Sequence, residues 1–183
     1  MDKASNNYSR FLEGDESAFD EIMKELFDNL IFFINRYVND INVAEDIAID
    51  VFTDLVVNKH KYNFKVTLKT YLFMLGRSRA LNYIKRQKII NFVELSEIDK
   101  TLLDEKTLED AILADERKHI INIALKNLSE DIRIAIHLVY FEDLSYYETA
   151  KIMKKSTKQI DNLLYRGKKK LRDILGKDSE LLL

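Results

Sequence analysis

Three groups of side chains have the types and spacing to recognise or transform a ligand. Asp46, Asp50 and Asp54 recur at every fourth position, so on a helix their carboxylates stack along one face. Tyr62, Phe64, Tyr71, Phe73 and Tyr83 are interleaved with Lys59, Lys61, Lys65, Lys69, Arg77, Arg79, Lys85, Arg86 and Lys88, in a stretch (55–88) that holds no acid. Such a mixture suits single-stranded nucleic acid, because cations follow the backbone while rings stack on unpaired bases at about 1–3 kcal/mol per base. Lys158, Asp161, Asn162, Tyr165, Lys169 and Arg172 share one side of a helix whose other side carries Ile160, Leu163, Leu164, Gly167, Leu171 and Ile174. An apolar face held to a domain, backed by cationic, amide and phenolic groups, fits a duplex major groove.

Enzyme chemistry has little to work with. His60, His119 and His137 lie in three separate elements, with no nucleophile and base paired and no glycine-rich phosphate cradle. The acids recommend no metal, since no His or amide ligand accompanies them. A metal-dependent nuclease built on Glu45, Asp46 and Asp50 is the enzyme alternative, and it would betray itself by magnesium-dependent DNA cleavage lost in Asp46→Ala. Stacked acids cost a helix roughly 0.2–0.5 kcal/mol per pair. A basic protein partner would relieve that cost, and a solvated face is the other reading.

The elements that must position these groups are helices. The chain has no proline and four glycines, and apolar residues at helical spacing recur almost from end to end, so an all-α fold is expected. Ser145 with Glu148, and Ser156 with Gln159, are capping boxes that start two helices eleven residues apart, the layout of a helix-turn-helix. The second runs toward Leu175. Upstream, Ser129 caps a helix over 130–140, preceded by another near 110–127. The N-terminal block reads as about four helices, three of them placed: from Glu16 toward Val38, over 43–58, and over 68–87. Between the last two, KYNFKVTLK reads as a loop that displays Tyr62 and Phe64, whereas Phe73 belongs in the core.

A net charge of −2 conceals a segregation of sign: 13–54 is acidic, 55–88 basic, 94–116 acidic again, and the C-terminal end basic. Two cationic surfaces imply two nucleic-acid contacts. The expected organisation is a domain at 1–90, a linker at 91–110 and a helix-turn-helix domain at 111–183, without internal repeats. No cysteine argues for disulfides or secretion, the N-terminus lacks the apolar core of a signal peptide, and no apolar run nears the roughly 20 residues that span a bilayer. A cytoplasmic, soluble chain is expected.

These segments together resemble the bacterial primary-type sigma factors, specifically the two-domain extracytoplasmic-function (ECF) group. NVAEDIAIDVFTDLV resembles the family's core-polymerase-binding helix, YNFKVTLKTYLFMLGRSRALNYIKRQK its −10 recognition and melting segment, and ALKNLSEDIRIAIHLVYFEDLSYYETAKIMKKSTKQIDNLLYRGKKKLRDIL its −35-reading domain. The resemblance implies a non-enzymatic subunit, without cofactor or metal, that directs RNA polymerase to promoters and assists their opening. Ala44, Asp46, Asp50, Phe52 and Leu55 would then bind core polymerase. Tyr62, Asn63, Phe64, Lys65, Lys69, Asn82, Lys85, Arg86 and Lys88 would contact the −10 element as single strand, the loop capturing a flipped base. Lys158, Gln159, Asp161, Asn162, Tyr165, Arg166 and Lys169 would face duplex −35 DNA. Implied partners are the polymerase clamp and flap and promoter DNA, with an anti-sigma protein as a further candidate and no membrane.

The chain departs from the family's pattern at four places. Ile49 stands where Gln is usual, Tyr71 where Trp is common, Lys154 where the turn commonly has Gly, and Asp161 where a cation is frequent. Asp161 would repel phosphate but can accept from a cytosine amino group. The rival outside this family is a free-standing helix-turn-helix regulator, which accounts for 144–172 alone.

Overall fold

The structure is a computed structural model of the chain and describes residues 2–94 and 127–175. Among these residues all regular structure is helical, and the helices form two compact units, one carried by 2–94 and the other by most of 127–175.

The N-terminal unit has four α-helices: α1 (Lys3–Leu12), α2 (Glu16–Val38), α3 (Ile41–Val57) and α4 (Leu68–Glu94). Helix α2 is central and packs against the other three. Its Ala18, Ile22, Leu26, Leu30, Phe33, Ile34 and Tyr37 are spaced three or four residues apart, with one adjacent pair, and all are buried. Asn39 ends it in the left-handed conformation at φ 53°, its N–H donating to the Asn35 carbonyl. Asp40 then caps α3, its side chain accepting from the N–H groups of Asn42 and Val43 at 2.9 and 3.2 Å. Two residues thus turn the chain between helices. Helix α4 approaches α2 at Gly76, where a Cβ would lie 2.9 Å from Leu30 Cδ1, and Phe33 and Phe73 stack 4.7 Å apart between the two helices. Phe73 is core, as expected.

Two features depart from the sequence expectations. Helix α1 had not been placed, because its Ser- and Asn-rich sequence has low intrinsic helicity; Ala4, Tyr8 and Phe11 nonetheless form a buried stripe. Helix α4 continues to Glu94, past the domain boundary expected at 90. The rest of the 91–110 linker and all but the end of the helix expected at 110–127 lie outside the described residues.

The C-terminal unit comprises α5 (Glu130–Ile136), a π-helical turn (His137–Phe141), α6 (Tyr146–Met153) and α7 (Thr157–Leu175). The helix expected over 130–140 is therefore α-helical for only part of that length, and its widened end is closed by Glu142 N–H donating to the His137 carbonyl. Ser129 takes the N-cap backbone conformation, but its side chain makes no capping bond; its carbonyl receives the Ile132 and Arg133 N–H groups. Helix α7 packs on α5.

Candidate nucleic-acid interface

Both capping boxes are formed. Ser145 N–H donates to Glu148 Oε2 at 3.0 Å and Glu148 N–H to Ser145 Oγ at 3.2 Å. Ser156 N–H donates to Gln159 Oε1 at 2.8 Å and Gln159 N–H to Ser156 Oγ at 3.2 Å. Gln159 thus uses its side-chain carbonyl oxygen inside the chain, and its amide nitrogen takes no part in the box.

Between the boxes Lys154 adopts φ 54°, and Lys155 N–H closes the end of α6 on the Ala150 carbonyl at 2.9 Å, a Schellman-type stop. Lys155 Nζ lies 3.0 Å from Asp131 on α5, tying the turn to the helix beneath. Ile160 and Leu164 are buried on the inner side of α7, as is Gly167. A Cβ at Gly167 would come within 2.7 Å of Ile132 Cγ2 and 3.0 Å of Ile136 Cδ1. The missing side chain sets how closely α7 sits on α5. Ile174, expected on this side, is exposed. Lys158, Gln159, Asp161, Asn162, Tyr165, Arg166 and Lys169, the residues expected to face −35 DNA, are all exposed on one side of α7, as is Arg172.

In the N-terminal unit the basic segment divides differently from expectation. Asn63, Phe64 and Lys65 are exposed at the tip of the loop, and Asn82, Lys85, Arg86 and Lys88 are exposed along α4. Lys69 is partly covered, its ammonium 5.8 Å from the Phe73 ring centroid. Tyr62 is not displayed at all. Its ring is buried against Phe64, Tyr71 and Tyr8, and its hydroxyl donates to the Val66 carbonyl at 2.7 Å and contacts Ser5 Oγ at 2.8 Å. Burial pushes its hydroxyl pKa up. Tyr62 therefore supports the loop instead of offering a stacking surface. Phe64 keeps about a third of its surface exposed and has φ 60°, a conformation costing a non-glycine residue roughly 1–2 kcal/mol. Helix α1 adds what the sequence reading missed: Tyr8 shares its hydroxyl proton between the Leu55 and Lys59 carbonyls, both at 3.0 Å, and burial foremost, then Tyr71 and Tyr62, pushes its pKa up to about 12. The Ala4–Tyr8–Phe11 spacing could have revealed the helix. Nothing local marks Ser5 or Tyr8 as props of a loop near residue 62.

The acidic face is also reshaped. Asp46 and Asp50 are exposed on α3, but Ala44, Phe52 and Leu55 are buried, with Phe52 held edge-on between Phe19 and Phe27. These three act in the core and cannot themselves touch a partner. Asp54 is mostly covered: it accepts from Asn58 Nδ2 at 2.6 Å and Lys61 Nζ at 3.1 Å, with Arg79 at 3.6 Å. The Lys61 hydrogen bond first, and then those of Asn58 and the Arg79 charge, hold its carboxyl below the usual range against the opposing effect of burial. Among the described residues no His, Asp or Glu cluster could hold a metal ion, and no helix is long and apolar enough to cross a membrane. His137 is buried with Nε2 3.3 Å from Glu142 Oε1, a packed pair inside its own unit.

Comparison with known proteins bears on both units. Residues 120–171 match the family model for sigma-70, region 4. The chain is 27% identical over 161 residues to the ECF RNA polymerase sigma factor SigX of Bacillus subtilis, a match covering 86% of this chain and 83% of that one. It is 25% identical over 167 residues to the RNA polymerase sigma-H factor of Pseudomonas aeruginosa, covering 87% and 86%. Among solved structures the fold is shared with the sigma factor RpoE of Bartonella quintana, in complex with the anti-sigma factor NepR, at TM-score 0.65 and 19% identity over 87% of this chain and 98% of that one. Residues 120–171 match the sigma-70 region 4 family, and over most of its length the chain is similar to extracytoplasmic-function sigma factors.

Proposed function

We propose that this protein is a promoter-specificity subunit that directs core RNA polymerase to a set of promoters and assists their opening. The observation that carries this reading is that similarity to ECF sigma factors runs through both units, while the region 4 match falls on a helix pair with an open cationic and amide face. Residues 1–90 would bind core polymerase and the −10 element, 91–110 would connect, and 111–183 would bind the −35 element.

Asp46 and Asp50, the exposed acids of α3, are assigned to core polymerase. Arg166, Asn162, Tyr165, Lys158, Lys169, Asp161 and the amide of Gln159 are assigned to −35 duplex. Asn63, Phe64, Lys65, Asn82, Lys85, Arg86 and Lys88 are assigned to the opened −10 strand. Opening needs no nucleotide hydrolysis under this reading: unpairing costs a few kcal/mol, offset by base capture, stacking and phosphate neutralisation. The protein would act in the cytoplasm and carry no active site. An anti-sigma protein is a further proposed partner, in keeping with the complex in which the fold neighbour was solved.

A free-standing helix-turn-helix regulator would use only the C-terminal unit and leaves the matched N-terminal unit without a task. Association with purified core polymerase separates the two readings. The sigma reading expects a stable complex at low salt; a folded chain that fails to associate contradicts it.

A further inference from the structure

Buried hydroxyls knit α1 to the exposed loop. Ser5 is fully buried on α1, and Leu68 N–H, at the start of α4, donates to its Oγ at 3.0 Å. The Tyr62 hydroxyl, at the start of the loop, lies 2.8 Å from the same oxygen and gives its own proton to Val66 at the loop's far side. The Ser5 hydroxyl donates to the Asp2 carboxylate beside it, and either hydroxyl can supply the hydrogen between Ser5 and Tyr62. One serine thus touches the entrance of the loop through Tyr62 and its exit through Leu68. Inside that clamp Phe64 is held left-handed, its ring 4.6 Å from Tyr62 and 6.2 Å from Tyr8.

We propose that Ser5 and Tyr62 are positioning residues that set the Asn63–Phe64–Lys65 tip in the conformation that captures unpaired promoter DNA, with neither touching the DNA. The inference rests on the sigma-factor reading. A strained tip persists only when its surroundings over-determine it. Ser5, Tyr62 and Tyr8 provide that constraint, so the loop meets DNA already ordered and loses little entropy on binding. Removing the hydroxyl pair leaves the exposed residues chemically intact but lets the tip relax.

The test uses holoenzyme reconstituted from core polymerase and full-length chain on a promoter fragment at which the wild-type chain starts transcription. Opening is read by permanganate reactivity of thymines, on the duplex and on the same fragment with mismatches that pre-open the −10 region. Ser5→Ala and Tyr62→Phe should each reduce opening of the duplex about tenfold, the scale of one or two lost hydrogen bonds, and the double variant little further. On the pre-opened fragment, transcription should stay within about twofold of wild type, as should −35 duplex binding; a merely destabilised domain would not be rescued by unpaired DNA. Tyr62→Phe keeps the ring and its packing, and it carries the test alone if Ser5→Ala fails to fold. Duplex opening within about twofold of wild type, or an equal loss on both templates, overturns the proposal. Failure of the wild-type chain to open any promoter would instead overturn the sigma-factor reading.

Discussion

Arg79 of α4 reaches to within 3.5 Å of the Asp50 carboxylate on α3, and its other terminal nitrogen lies 3.6 Å from Asp54. One guanidinium therefore partly neutralises two members of the acidic stripe from within the same unit. The unequal result along α3 decides which acid is available to a basic partner. Asp54 is largely covered, Asp50 is half-answered by Arg79, and Asp46 stands exposed one turn earlier.

Asp46→Ala should consequently weaken binding to core polymerase more than Asp50→Ala. The double variant should lose about tenfold, more at low ionic strength than at high, because rim charges act mainly through screened attraction. Titration of core polymerase at two salt concentrations measures this. Binding to −35 duplex should be unchanged; an equal loss there would signal unfolding.

Asp54 makes the N-terminal unit sensitive to acid. Its folded carboxyl sits below the ordinary value, chiefly through Lys61, so its contribution is complete above the unfolded pKa of about 4 and fades as pH falls through the folded value. Asp54→Asn should lower stability at pH 7 by no more than about 1 kcal/mol, given how open its cationic partners are to solvent. Urea unfolding of both proteins should show the gap closing below about pH 4. A gap that persists in acid would mean that shape, not charge, sets the effect.

How much was legible in the sequence follows from how local each cause is. The capping boxes and the two faces of α7 could be read because a helix start and a helical period are written within a few neighbouring residues. Tyr62 was misread as displayed because its burial depends on Ser5, Tyr8 and Tyr71, of which the first two lie more than fifty residues away. Phe52 was misassigned to a partner surface because Phe19 and Phe27, which enclose it, belong to another helix. The π-turn at His137–Phe141 has no sequence signature that a helical period would expose.

Lys154→Gly should raise the stability of the C-terminal unit by about 0.5–1 kcal/mol, since Lys154 holds φ 54° at a position glycine occupies without strain. Thermal unfolding checks it, with −35 binding expected to stay constant. A fall in stability would show that the lysine side chain contributes more than its backbone costs.

Gly167→Ala acts in the opposite direction. Alanine favours a helix by about 1 kcal/mol over glycine, but the new methyl would meet Ile132 Cγ2, a branch with little rotamer freedom, at 2.7 Å. Overpacking of about 1–3 kcal/mol should win, lowering the melting temperature and shifting α7 on α5. A more stable variant would mean that the two helices separate easily.

Arg166→Ala tests the open face of α7 without disturbing what lies beneath it. It should weaken −35 duplex binding by about 1–3 kcal/mol while leaving core-polymerase affinity intact. Equal weakening of both would point to damage within the fold.

The central claim is tested most directly by transcription from genomic DNA with core polymerase, with and without the purified chain, followed by sequencing of the 5′ ends. The account predicts discrete starts that appear only when the chain is present, preceded by shared −35 and −10 sequences and lost in Arg166→Ala. Starts that are scattered, or identical in the two reactions while the chain is folded and bound to polymerase, would contradict it.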